Sequence, residues 1–253
     1  VAEHRARATP GPARRGGGVM AQVLRLPGRV ESQAESPATA PAPPAWARGT
    51  VDGWGRDDQL VRALSPLLRA RWAVSVGGER HVPAAGGGLL VTNTRRLSLS
   101  AVYVAWALGE AVGRPVRFAG RPDVAPVGPL LRRLGGLLDD PREVRCALRD
   151  GELVVATASA TAHPRHAGAV HHDLIGAALA AGVQVLPVAS TSAAFARGAR
   201  VEVGAPVRLR RARRGPLAEV ELALAVQRAL QTMLDELGGV GAGVSAIDWL
   251  GEG

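Results

Sequence analysis

Leu89-Leu90-Val91-Thr92 is a short apolar run that suits a buried strand, and its polar exit constrains this chain more than any other stretch. Asn93-Thr94 breaks the run. Beyond it Ser98 or Ser100 is placed to cap a helix whose apolar positions are Val102, Ala105, Trp106 and Leu108. A strand that ends in a polar turn and feeds a helix is a unit of an open α/β sheet. The turn at its carboxyl end is where such sheets bind ligands. Here the turn offers Asn93, Thr94, Arg95, Arg96 and Ser98, with no carboxylate, imidazole or thiol among them.

The same alternation recurs on both sides. Leu60, Leu64, Leu67 and Leu68 fall on one helical face behind Asp57-Asp58, with Pro66 predicting a kink or break. Trp72–Val76 alternates like a half-buried strand, and Val116–Gly120 reads as another after the Gly113-Arg114-Pro115 stop. Leu130, Leu131, Leu134, Leu137 and Leu138 surround Arg132 and Arg133. That segment reads as a surface helix with a core-facing Leu side, or as one lying on lipid head groups. Pro141 opens a helix that Gly151 closes, with Cys146 on it as a small apolar filler; Glu152–Ala156 is a strand and Thr157–Thr161 its turn.

A helix spans 171–182 and a strand Val183–Ala189, where Pro187 predicts a sheet edge or a loop entrance. One or two strands lie in VEVGAPVRL, and Arg208–Gly215 is a basic loop. Residues 218–237 form a long helix with Val226, Leu230, Met233, Leu234 and Leu237 on one side. The expected fold is α/β: a mixed central sheet flanked by helices, in a single domain over residues 51–240. Residues 1–50, rich in Pro, Ala and Arg without periodicity, are expected to be a disordered tail. Residues 241–253 are expected to be a second, flexible one.

A net charge of +9 suggests an anionic partner, but the chain contains no lysine, so all 31 basic residues are Arg. A bias that uniform reflects codon composition as much as a binding surface. Aromatic residues are only 3%, which leaves few platforms for stacked bases, so nucleic acid is not expected. A single cysteine, Cys146, makes no internal disulfide and fits a reducing compartment. No stretch approaches the roughly 18 apolar residues of a membrane span. The expected location is cytoplasmic, at most peripheral on the inner face of the plasma membrane.

Histidines cluster in HPRHAGAVHHD, as His163, His166, His171 and His172 followed by Asp173. They read as a solvated loop; His166 and His171 are the residues there that can supply a base. The H-x-x-H spacing of His163 and His166 has no third ligand, so no metal site is expected. Arg95 and Arg96 have the fork geometry that holds a phosphate, and read equally as surface arginines.

The order of these pieces resembles the glycerolipid acyltransferases of the lysophosphatidate acyltransferase type. WAVSVGGERHVPAAGGGLLVTN is similar to that family's lead-in, DGELVVATASAT stands where the family has its Pro-Glu-Gly-Thr block, and VQVLPVAS is similar to its fourth block. GPLLRRLGGLLDDPREVRCALRDGE is similar to the run between its second and third blocks. The likeness covers roughly residues 55–210. It implies acyl transfer from acyl-CoA or acyl carrier protein, as co-substrate, to a phosphoglycerol acceptor, with no cofactor. Its partners would be a phospholipid or lysophospholipid and, for docking, an anionic membrane surface.

In that family a histidine takes the acceptor's hydroxyl proton and an aspartate five residues later orients the ring. Carried over, those positions are Thr94 and Leu99, neither of which can do that work. The block's acidic residue falls near Ala158 and its Gly-Thr near Ser159 and Ala160. Asn93 and Pro187 match, and with Arg95, Arg96 and Ser159 they are the substrate-binding positions the resemblance leaves. Two readings stand: a weak or inactive acyltransferase, or a non-catalytic lipid- or acyl-chain-binding relative at the membrane surface.

Overall fold

The computed structural model describes residues 51–95, 98–163, 165–192, 198–209 and 215–238. Both expected tails, Arg96, and Arg210–Arg214 of the basic loop lie outside these. The described chain runs α1 (Asp58–Arg71), β1 (Ala73–Gly77), β2 (Gly88–Thr92), α2 (Ser100–Val112), β3 (Val116–Ala119), α3 (Val127–Arg133) and β4 (Gly136–Leu137). It continues with α4 (Pro141–Arg149), β5 (Leu153–Thr157), α5 (His172–Ala181), β6 (Gln184–Ser192), β7 (Gly198–Val203) and α6 (Pro216–Gly238).

The seven strands form one sheet in the order β1-β7-β6-β2-β5-β3-β4. All neighbours are parallel except β6 and β7, so the sheet is mixed and flanked by helices, the α/β class expected. Every residue of β2 is buried, because β5 and β6 flank it and helices cover both faces. That is why its sequence is apolar without alternation. Leu89 and Val91 pack with Val144, Leu148, Ile175 and Val226 of α4, α5 and α6. Leu90 faces the other way, among Tyr103, Val104 and Leu108 of α2 and Phe118 of β3.

The turn ahead of α1 is held by charge. Arg117, on β3, is only 1% exposed and pairs with Asp52 and Glu152. Asp57 caps α1 by accepting from the N–H groups of Gln59 and Leu60, and also binds Arg133. Arg132 lies against Gly55. The two arginines of α3 thus brace residues 51–57, while Leu131 and Leu134 pack on the core and Leu130 stays half exposed.

Several local expectations are corrected. Pro66 does not break α1, which is continuous through it. The carbonyl that loses its partner, on Arg62, belongs to an exposed residue and can turn to water. The Leu residues of α1 do lie along a helix, none of whose residues is buried; Leu67 is 65% exposed. Neither Ser98 nor Ser100 caps α2: the cap position is Leu99, with no side-chain bond, and the two hydroxyls pair with each other at 2.6 Å.

Pro187 is at neither a sheet edge nor a loop entrance. It sits in β6 between β2 and the chain after β7, opposite Val91, with its carbonyl accepting from Gly204 N–H. Regular pairing with β7 begins only at Val188, so the missing N–H falls where the ladder has lapsed. Cys146 is exposed, because α4 turns Val144, Ala147 and Leu148 inward instead.

Candidate functional site

β2 and β5 end side by side, at Thr92 and Thr157, while β6 passes Thr92 at Val188 and runs on to Ser192. The chain leaving β2 at Asn93 to Arg95, the chain leaving β5 at Ala158 to Thr161, and the last residues of β6, Ala189 to Ser192, therefore share one edge of the sheet. Thr161 N–H donates to Thr94 O at 3.2 Å, and Arg95 bridges to Thr161, which ties the first two segments together.

Asn93 is buried, with both ends of its amide engaged. Its Nδ2 donates to Ser190 O at 2.9 Å, and its Oδ1 accepts from Ser190 N–H at 2.8 Å and from the Ser190 hydroxyl at 3.1 Å. Thr92 adds its hydroxyl to Ser190 Oγ at 3.2 Å. These contacts join β2 to β6. Thr94 is half-buried with Oγ1 3.4 Å from Ser100 Oγ, so three hydroxyls, on Thr94, Ser98 and Ser100, occupy the turn. Leu99 is 58% exposed at the head of α2. Arg95 is half-buried; Arg96 lies outside the described residues.

Ser159 stands two residues beyond β5, with its N–H donating to Ala169 O at 2.7 Å and its Oγ 3.5 Å from His171 Nε2. His171 is exposed at the N-cap of α5. His166 is exposed as well, its ring centroid 5.1 Å from that of His163. Asp173 pairs with His172 Nδ1 at 3.0 Å. Gln231 of α6 receives Ala167 N–H and donates to Arg165 O, which moors this loop to the long helix. Among the described residues no group of three or more His, Cys, Asp or Glu is placed to hold a metal ion.

The sequence gives no sign of a second feature. A cleft of about 450 Å³ runs between α1 and α2, lined by Val61, Leu68, Val102, Trp106, Phe118 and Leu134, with Arg56 and Arg62 also on its wall. That volume is within the usual range for ligand pockets. Val102, one of its lining residues, lies one turn into α2 from Leu99. Ser65 Oγ accepts from Trp106 Nε1 at 3.3 Å and Arg69 pairs with Glu110, so polar contacts hold the two helices across the gap. The spacing of Leu in α1 reads as a stripe for burial, which is why it does not announce a cleft.

No family model matches the chain, and no curated protein does. A solved structure does match: the 1-acyl-sn-glycerophosphate (LPA) acyltransferase, PlsC, from Thermotoga maritima. The TM-score is 0.52, over 72% of this chain and 82% of that one, at 16% identity. The chain has the PlsC acyltransferase fold. At that identity the likeness is one of architecture, in agreement with the order of elements read from the sequence. Among the described residues no helix is long and apolar enough to cross a membrane.

Proposed function

We propose that this protein is a glycerolipid acyltransferase-like protein that binds a lysophospholipid or its acyl donor at the shared edge of β2, β5 and β6, without the family's His/Asp mechanism. One observation carries the reading. On an acyltransferase fold, the turn after β2 presents Thr94 and an exposed Leu99 where the resemblance puts the base and its orienter. A hydroxyl bonded among hydroxyls takes no proton near neutral pH, and Leu99 points its apolar side chain at solvent. Loss of a general base lowers a rate by about 10²–10⁴.

Binding does not need that base. The cleft beside α2 offers apolar walls for an acyl chain, and Val102 on its wall is one turn along α2 from the end of the Thr94 turn. Arg95 is the described arginine on that turn and the candidate for a phosphate. Acyl-CoA or acyl carrier protein would be the donor, with no cofactor. Val124, Val127 and Leu130, all about half exposed or more, give α3 and the chain before it an apolar face for docking on an anionic bilayer.

The test is calorimetric titration with lysophosphatidate and, separately, oleoyl-CoA, and then assay of the mixture for phosphatidate. Saturable binding without phosphatidate supports the reading. Failure to bind either ligand refutes it.

A further inference from the structure

We propose that Ser159 and His171 form a nucleophile–base pair that takes the acyl group from a thioester or ester, a chemistry distinct from direct transfer through a His/Asp dyad. Three features meet at Ser159. Its Oγ lies 3.5 Å from His171 Nε2, the loose end of the range such pairs show before substrate binds. Its backbone is fixed by the Ser159 N–H to Ala169 O bond and by Gly168. At a φ of +73°, Gly168 passes so close that a Cβ there would run into the carbonyl oxygen of Ser159. The segment that carries His171 is therefore pressed against Ser159 and cannot be rebuilt with an ordinary side chain at position 168.

The third feature is the start of α5. His171 is its N-cap, and no side chain caps the helix, so its first-turn N–H groups have no acceptor from that quarter. His171, whose ring meets Ser159, starts this ten-residue helix, and amides at a helix's positive end are donors an oxyanion could use. The pair also shares the sheet edge of the Thr94 turn, because Thr161, two residues on, donates its N–H to Thr94 O. Asp173 is bound to His172, so the arrangement is a dyad.

The chemistry balances without a metal or redox partner. His171 Nε2 accepts the Ser159 hydroxyl proton as Oγ attacks the acyl carbonyl carbon. The C–S bond of the thioester breaks, and the sulfur leaves as thiol with that proton. An acyl ester remains on Ser159. Water, deprotonated by the same ring, then cleaves the ester to the free acid and restores the hydroxyl.

The acyl class of substrate rests on the reading of this edge as an acyl-lipid site, but the test needs no lipid. Full-length protein is treated with a fluorophosphonate probe and the adduct is located by peptide mass mapping. The expected result is one adduct, on Ser159, absent in Ser159→Ala and formed at least a hundredfold more slowly in His171→Ala. His171 is exposed and Ser159 half-buried, and an unchanged urea midpoint in each variant checks that the fold is kept. No adduct, an adduct elsewhere, or labelling of Ser159 as fast in His171→Ala as in wild type overturns the pair. Any of these leaves the lipid-binding titration untouched, so the two proposals fail separately.

Discussion

Asn93 and Ser190 are 97 residues apart, and the Asn93 side chain exchanges two hydrogen bonds with the Ser190 main chain: its amide donates to Ser190 O and accepts from Ser190 N–H. Both main-chain polar groups of Ser190, in β6 just past the end of β2, are satisfied by one side chain. Asn93 thereby fixes where the chain leaves β2, and with it the position of Thr94.

Asn93→Ala is expected to lower stability by about 2–4 kcal/mol, because it leaves a buried N–H and a buried carbonyl without partners. Urea unfolding of the variant measures this. A loss below about 0.5 kcal/mol would mean that water or a backbone shift replaces the amide.

Arg117 is the buried hinge pin of the turn ahead of α1. Arg117→Met removes the charge shared by Asp52 and Glu152, both of which reach solvent in part. The expected loss is at the low end for a broken buried pair, about 3 kcal/mol. Residues 51–57 should then become sensitive to limited proteolysis before the sheet does. A cleavage pattern identical to wild type would contradict this.

Acid should unfold the protein partly through two carboxyls of the same turn. The Arg133 hydrogen bond and the Leu60 N–H hold Asp57 below the ordinary value of 3.8. For Asp52 burial pushes upward, and the Arg117 bond with the Arg56 and Trp54 amides outweighs it, leaving it also below 3.8. The unfolded chain therefore binds more protons in this window. The stability these groups contribute is present above 3.8 and is lost as pH falls through it toward their lower folded values. Urea midpoints measured from neutral pH downward should drop below about pH 4, and Arg133→Met should flatten the drop. An equal slope in wild type and variant would remove Asp57 from the explanation.

Much of the fold is legible in the sequence, for reasons visible in single residues. The unbroken apolar run of β2 announces a strand buried on both faces. Gly113 and Gly182 mark the ends of α2 and α5, where both adopt the left-handed conformation. What escapes depends on distant partners. Pro187 looks like an edge residue because local rules cannot show that the ladder to β7 lapses at Gly204. The Leu face of α1 looks like core because periodicity does not reveal a cleft beneath a helix. In the candidate site, resemblance places Thr94 and Leu99. The tie of Asn93 to Ser190 and the approach of His171 to Ser159 are products of the fold, with no sequence signal beyond a serine at the end of an apolar strand.

The cleft gives a prediction about the ligand's tail. Val102 is half-buried on its wall, and Val102→Trp takes up part of the cleft. Affinity for lysophosphatidate should fall about tenfold or more, the equivalent of losing burial for two CH₂ groups. Unchanged affinity in calorimetry, with the urea midpoint preserved, would place the tail elsewhere.

The most direct test is phosphatidate formation from oleoyl-CoA and lysophosphatidate by the wild-type protein and by Thr94→Ala, at concentrations where binding is saturated. The two proteins are expected to be indistinguishable, because a hydroxyl at position 94 is no base. Phosphatidate formed by wild type at a rate that falls a hundredfold or more in Thr94→Ala would contradict a fold without the family's base.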